Sequence, residues 1–274
     1  MSTPISQEDF LKLKTLFMES FDESDALAEE IVGYAKTYGE IRFLSDNGKV
    51  ITMLCLAELE DGYKYLFAVA TSPSYRGRGL FSDNFSVYAG KNENIICIPQ
   101  SDSLFSLYRK LGFTQEIFIF NTSVVGDGSL RKHLLSNYDM DFEMLYRIYK
   151  SSCFYPKKPK ELFMSTMRCH LLYGGTVISD GSFYALCGVG ENSRNIYEIC
   201  VPKGSENRAA ELIKGCVSGV AAASLAADFT TSLRNSGLTY NAKRIAAFRQ
   251  GADIPKNNIN NSSWKSLYIN ILYN

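Results

Sequence analysis

Apolar residues recur at three- and four-residue steps from Gln7 to Ser20, at Phe10, Leu13, Leu16 and Phe17, which puts them on one face of a helix. Ser6, followed by Asp9, has the arrangement of a helix cap. A second helical pattern runs from Ser24 to Tyr38. The period then changes. Strand-like runs cover Ile41 to Leu44, Val50 to Leu59 and Tyr63 to Thr71, separated by turn residues at Asp46-Asn47-Gly48 and Asp61-Gly62. This meander leads into a helix from Leu80 to Ala89, a buried strand from Ile95 to Pro99, and a helix opened by Ser101 and Asp102 and closed by Gly112. A strand from Gln115 to Thr122 follows.

Between the third strand and the helix at Leu80 lies Ser72-Pro73-Ser74-Tyr75-Arg76-Gly77-Arg78-Gly79. Two glycines without Cβ atoms let the backbone fold tightly and bring N–H groups against an anion. The helix start adds unpaired N–H groups and the positive end of its dipole. Arg76 and Arg78 can add charge-assisted hydrogen bonds of about 1.5–3 kcal/mol each when desolvated. The stretch reads as a cradle for a pyrophosphate. It is neither a Walker loop, lacking G-K-[ST], nor a Rossmann turn, lacking G-x-G-x-x-G.

Composition narrows the remaining chemistry. The chain has 274 residues, nearly half hydrophobic, enough to bury a sizeable core in about two domains. With 29 Lys+Arg against 29 Asp+Glu, no broad surface for nucleic acid or an anionic membrane is expected. The N-terminus has no apolar signal core and no run of about 18 apolar residues occurs, so a cytoplasmic protein is expected. The seven cysteines, Cys55, Cys97, Cys153, Cys169, Cys187, Cys200 and Cys216, are an odd number without a CxxC pair and read as buried free thiols. Only two histidines, His133 and His170, are present, and no metal site is expected. Cys169 and His170 are adjacent in sequence, but neighbours on a strand point apart, so they are not expected to form a nucleophile pair.

The loop and its flanks resemble motif A of the GCN5-related N-acetyltransferases, a strand followed by R/Q-x-x-G-x-G/A at a helix start. Arg76-Gly77-Arg78-Gly79-Leu80-Phe81 fits this pattern except at Phe81, which stands where the family has a small residue. About 30 residues on, SLFSLYRKLGF is similar to motif B, with Tyr108, Lys110, Gly112 and Phe113 matching. The resemblance implies an α/β (α+β) acyl-CoA N-acyltransferase-like fold, a mixed, mostly antiparallel sheet flanked by helices. It implies acetyl-CoA as donor, its pantetheine amides along the strand Ala68-Val69-Ala70 and its pyrophosphate on residues 76 to 81. Ser103 joins this donor-binding set. Tyr108 would be the general acid for the leaving thiolate.

The second half reads as a worn copy of the first. The stretch from Ile178 to Ile213 lies against that from Leu44 to Phe81 with short gaps, and Leu233 to Thr239 answers Tyr108 to Thr114. Glu206-Asn207-Arg208-Ala209 stands where Arg76-Gly77-Arg78-Gly79 stood, losing both glycines and one arginine and adding a carboxylate. Tyr108 is answered by Leu233. Two tandem domains are therefore expected: residues 1–124, catalytic and holding the acetyl-CoA site, and residues 125–274, degenerate and without a phosphate loop. Val124 to Ser129 would be the link. The second domain would either shape the acceptor cleft or act as a brace. Such tandem domains resemble those of the enhanced-intracellular-survival acetyltransferases, in which a terminal carboxylate acts as base.

The resemblance implies direct attack on the thioester by a primary amine of a small molecule or peptide. An amine of pKa about 10.4 is only about 0.04% neutral at pH 7, a cost of roughly 4.6 kcal/mol, so a base or water relay has to help. Glu58 and Glu60 at the end of the second strand, a water relay, and the Asn274 carboxylate are the alternatives. A CoA-binding sensor or scaffold without turnover is the rival from another class. The acceptor and the oligomeric state are not legible.

Overall fold

The computed structural model describes residues 4–88, 93–130, 134–135, 140–152, 154, 156–188, 196–216, 218–225 and 240–249. Helix α1 (Gln7–Phe21) starts at Ser6, whose hydroxyl oxygen accepts the Asp9 N–H at 3.0 Å, and stops at Asp22 in the left-handed region, φ 57°. Helix α2 (Asp25–Tyr38) starts likewise at Ser24, which accepts from the Leu27 N–H. Their apolar stripes, Phe10, Leu13, Leu16 and Phe17 on α1 and Leu27, Ile31 and Val32 on α2, are buried together. Each such Leu or Ile contributes roughly 1.5–3 kcal/mol by leaving water.

Strands β1 (Glu40–Asp46) and β2 (Lys49–Glu58) form a hairpin across Asn47-Gly48, both at positive φ, the turn that matches strand twist. Every residue of β2 from Val50 to Ala57 is buried. Met53, Cys55 and Ala57 face α1 and α2, while Leu54 and Leu56 join the opposite core, so the strand reads as a continuous apolar run. Strand β3 (Tyr63–Thr71) pairs antiparallel with β2. The expected helix from Leu80 divides into α3 (Leu80–Phe85) and a single 3-10 turn at Ser86–Tyr88. Strand β4 (Asn94–Cys97) runs parallel to β3 and is two residues shorter at its end than expected, because its pairing stops at Leu66↔Cys97. Helix α4 (Asp102–Lys110) is capped by Ser101 and followed by Gly112 at φ 92°. Phe81, Phe85, Tyr88, Phe105, Tyr108 and Phe113 pack it and α3 on the second face of the sheet.

Strand β5 runs from Gln115 to Asp127, past the expected stop at Thr122. The reason is a distant partner: β10 (Ser218–Leu225) pairs with it from Phe120 to Asp127. The stretch expected as a link is thus paired strand through Asp127, and the expected division after residue 124 falls inside β5. Beyond it come β6 (Leu134–Leu135), α5 (Phe142–Ser151), α6 (Lys160–Leu172), β7 (Thr176–Ser179), β8 (Tyr184–Cys187), β9 (Ile196–Cys200), α7 (Ala209–Cys216), β10 and β11 (Tyr240–Arg249). The sheet is continuous over eleven strands in the order β1-β2-β3-β4-β11-β5-β10-β9-β8-β7-β6. Strand β11 lies between β4 and β5, antiparallel to both. Two helices, three antiparallel strands, a helix and a strand parallel to the last of the three occur in this order in both halves. Helix α6 packs on α2, where Glu30 accepts two 2.8 Å hydrogen bonds from Arg168 and one from the Ser165 hydroxyl.

Six of the cysteines are free and buried; Cys153 and His133 lie outside the described residues. Cys169 and His170 sit on a helix, not a strand, and they do not meet: Cys169 joins the core beneath α2, and His170 Nε2 bonds to the Thr176 carbonyl at 2.9 Å.

Candidate functional site

The site starts from a fault in β3. Cys55 pairs with Phe67 and Met53 with Ala70, so Leu54 alone faces both Ala68 and Val69. This is a β-bulge, and Ala68 takes φ 47°, the left-handed region that a side chain makes costly by roughly 1–2 kcal/mol. The bulge turns β3 away from β4. Their pairing ends at Leu66↔Cys97, and the edge of β3 from Ala68 to Ala70 has no strand partner on the β4 side among the described residues. A pocket of about 70 Å³ opens in the divergence, with Phe21, Phe67, Ala68, Cys97, Leu104 and Tyr108 in its wall.

Directly after β3, Pro73–Tyr75 forms a 3-10 turn, and the chain folds back through Arg76 to Gly79. Gly77 and Gly79 have φ 76° and 79°. A Cβ built on either meets no protein atom within 4 Å, so each glycine presents bare backbone to open space. Gly79 caps α3 without a side-chain cap, and the first helical bond runs from the Asp83 N–H to the Gly79 carbonyl. The N–H groups of Leu80, Phe81 and Ser82 precede that bond. Arg76 Nε donates to the Thr71 carbonyl at 3.0 Å, and Arg78 Nη2 donates to the Ser74 carbonyl at 3.0 Å. Both guanidinium groups stay at the surface with donors to spare. A pyrophosphate fits this chemistry: bare N–H groups, two cations and no carboxylate in the loop.

Loop and bulge share a cleft of about 440 Å³. Val69, Arg76, Gly77, Arg78, Gly79, Leu80, Phe81 and Tyr108 line it, and Val69, Leu104 and Tyr108 also line the smaller pocket. Ala70 is buried beside the cleft, its carbonyl accepting from the Thr52 hydroxyl. Ser103 stands apart: it is exposed on the first turn of α4 and bonded to Ser101 Oγ at 2.9 Å. Phe81 occupies the position where the resembled motif has a small residue. Its ring packs at 5.6 Å, nearly perpendicular to that of Tyr108, and becomes part of the wall.

Tyr108 is 6% exposed, held edge-on between Phe81 and Phe113. Its hydroxyl has no hydrogen-bond partner among the described residues. Burial pushes its pKa well above the ordinary tyrosine value, and the nearby Cys97 and Tyr65 push the same way. It therefore keeps its proton across the neutral range. The two carboxylates named as alternative bases lie away from the cleft. Glu58 is paired with Lys64 and 64% exposed; it faces Lys64 four residues before Ala68, about 13 Å along the strand. Glu60 is ion-paired to Lys150. Asn274 lies outside the described residues, as do Leu233 to Thr239. Among the described residues lining the two pockets there is no Asp, Glu or His, and none of the described residues form a group of three or more metal-binding side chains. No described helix is long and apolar enough to cross a membrane.

Phe21, Cys97 and Tyr75 line the site although their sequence patterns do not mark them as site residues. Phe21 belongs to the apolar stripe of α1 and Cys97 to that of β4, and neither pattern says which residue stops at a cavity rather than in a core.

No protein-family model matches the sequence, and no curated protein matches it significantly. Solved structures do match. A probable N-acyltransferase of unknown function from Enterococcus faecalis V583 is 11% identical, with a TM-score of 0.65 over 91% of this chain and 71% of that one. A GCN5-related N-acetyltransferase from Anabaena variabilis ATCC 29413 is 15% identical, with a TM-score of 0.62 over 90% and 72%. Eis1 from Mycobacterium abscessus is 11% identical, with a TM-score of 0.61 over 89% and 72%. Likeness at such identity speaks for architecture, and the chain has the fold of the GCN5-related N-acetyltransferases.

Proposed function

We propose that the chain is an acetyl-CoA-dependent N-acetyltransferase that acts on a primary amine of a small molecule or peptide by direct attack. The observation that carries this is the bulge at Ala68, which parts β3 from β4 where the glycine-arginine loop and Tyr108 meet in one cleft. Acetyl-CoA, when bound, would supply an activated acetyl thioester. The N–H groups of residues 77 to 82, with Arg76 and Arg78, hold the pyrophosphate. The free edge of β3 at Ala68, Val69 and Ala70 offers backbone partners to the pantetheine amides, as an added strand would. As the C–N bond forms and the C–S bond breaks, Tyr108 donates its proton to the departing sulfur and then takes one back from water; burial keeps the hydroxyl protonated beforehand, and the rings of Phe81 and Phe113 fix its direction.

The chain is read as two units, residues 1–124 and 125–274, with β11 returning from the second into the sheet of the first. Only the first binds donor. The second unit's 3-10 turn at Glu206–Arg208 has no glycine, and β9 buries Glu198 near Lys158, whose pKa its own burial lowers. Because no carboxylate or imidazole among the described residues lines the cleft, the amine's proton leaves to water in this reading. The same observation favours a second reading, a CoA-binding sensor without turnover.

Release of free thiol from acetyl-CoA across a panel of primary amines, with calorimetry of CoA binding, separates the two. Binding with amine-dependent thiol release supports the enzyme. Binding without release from any amine supports the sensor, and absence of binding removes both.

A further inference from the structure

Tyr75 is half-buried in the cleft wall, one residue before the arginine pair. Its hydroxyl donates to Asp46 Oδ2 at 2.7 Å, across from the β1–β2 turn. The backbone on either side is tied down as well: the Tyr75 N–H donates to the Ser72 carbonyl at 2.8 Å and the Arg76 N–H to the Pro73 carbonyl at 3.3 Å. Over the ring lies the Arg78 guanidinium, its carbon 4.9 Å from the ring centre, while Nη2 is held by the Ser74 carbonyl. Arg78 is thus fixed from two sides, by an aromatic face and by a carbonyl. Among the described residues, Arg76 has only the Thr71 carbonyl.

An exposed arginine that must be ordered on binding gives up rotamer freedom. A guanidinium already laid on a ring has lost much of that freedom before the ligand arrives, and cation–π contact leaves its N–H edge directed outward. The ring can serve this way only while it is itself held, which the Asp46 carboxylate does from a different element of the sheet. The bond to Asp46 also raises the Tyr75 pKa, so the hydroxyl remains a donor.

We propose that Tyr75 and Asp46 are positioning residues that hold Arg78 at the rim of the cleft in the orientation in which it meets a phosphate. The proposal rests on the CoA reading above and names what makes that loop ready before binding. Neither residue touches the reacting atoms. Their effect therefore belongs in donor affinity, passes through Arg78, and leaves kcat alone.

The test is a double-mutant cycle on the full chain, with CoA as the calorimetric probe. Tyr75→Leu removes ring and hydroxyl and is expected to weaken CoA about tenfold; Tyr75→Phe and Asp46→Asn, which keep the ring or the acceptor, are expected to weaken it about threefold. In an Arg78→Ala background, Tyr75→Leu is expected to change the affinity by less than twofold. Where an acceptor supports turnover, KM for acetyl-CoA rises in Tyr75→Phe with kcat unchanged. A merely structural tyrosine would instead weaken CoA equally in both backgrounds, which overturns the proposal, as does unchanged affinity in Tyr75→Leu. Tyr75→Phe guards against a Leu variant that fails to fold. If the parent chain itself does not bind CoA, the functional reading falls and this inference with it; if the parent binds and the cycle shows no coupling, only this inference falls.

Discussion

Replacing Tyr108 by Phe separates the proposed general-acid role from packing, because the hydroxyl would carry the first and the ring carries the second. The ring packs between Phe81 and Phe113 at 5.6 and 5.3 Å, and phenylalanine keeps both contacts. The hydroxyl has no hydrogen-bond partner among the described residues, so its removal leaves no orphaned donor or acceptor there. The stability change should stay within about 0.5 kcal/mol, roughly 1–2 °C in Tm for a chain of this size. The rate should change far more. Loss of a general acid lowers kcat by about 10²–10³ at neutral pH, or roughly 2.7–4 kcal/mol of barrier. The effect has a pH signature. Burial holds the Tyr108 pKa well above the ordinary value, so the parent's acid stays protonated through the assay range. The leaving thiol, whose ionisation in water falls at about pH 8.5, departs unaided once pH exceeds that value, so the parent-to-variant ratio should shrink as pH rises. The assay is thiol release from acetyl-CoA at saturating amine from about pH 6.5 to 9.5, a range that brackets the thiol's ionisation, with melting curves of both proteins. Full activity of the variant at pH 7, or a large pH-independent loss accompanied by a lowered Tm, would refute the reasoning.

Gly79→Glu should abolish CoA binding in calorimetry, since it places a carboxylate on a Cβ that points into the open cradle; Gly79→Ala, which carries the same positive-φ strain of about 1–2 kcal/mol without the charge, should retain measurable affinity. Titration of the full chain should saturate at one CoA, and a stoichiometry near two would mean that the 206–209 turn binds an anion after all. His170 is buried, and burial lowers its pKa, an effect partly offset by its bond to Thr176. The unfolded chain therefore takes up the proton first, below about pH 6.5, and stability falls as pH drops from there towards the lowered folded value; His170→Asn should flatten that slope in denaturant titrations. Gly175→Ala should cost about 1–3 kcal/mol in the same titrations, because its Cβ would lie 2.2 Å from the His170 ring, which the Thr176 carbonyl holds in place.

The local elements of the first half could be read in advance because their signals are local. Ser6 and Ser24 cap α1 and α2, Asn47-Gly48 turns β1 into β2, and the Arg76–Gly79 loop opens α3; in each case the interacting groups are within four residues of one another. The burial stripes follow from helical and strand periods alone. Phe81 could be named as an odd residue in its motif, but not as a ring set against Tyr108, since that contact joins two helices.

What only the tertiary structure decided is where strands find partners. The bulge at Ala68 has no glycine to announce it; it exists because the register of β2 against β3 slips there, and that slip is what opens the cleft. Strand β11, which starts at Tyr240, enters between β4 and a β5 that starts at Gln115, far back in the chain, and β10 extends β5 past Thr122. Such pairing uses backbone N–H and C=O groups that every residue carries, so the sequence marks a strand's faces and leaves its neighbours unmarked. The same applies to charge. Glu58 looks like a base at the end of a strand until the register sets it beside Lys64, and Asp46 looks like a turn residue until the fold brings it to Tyr75.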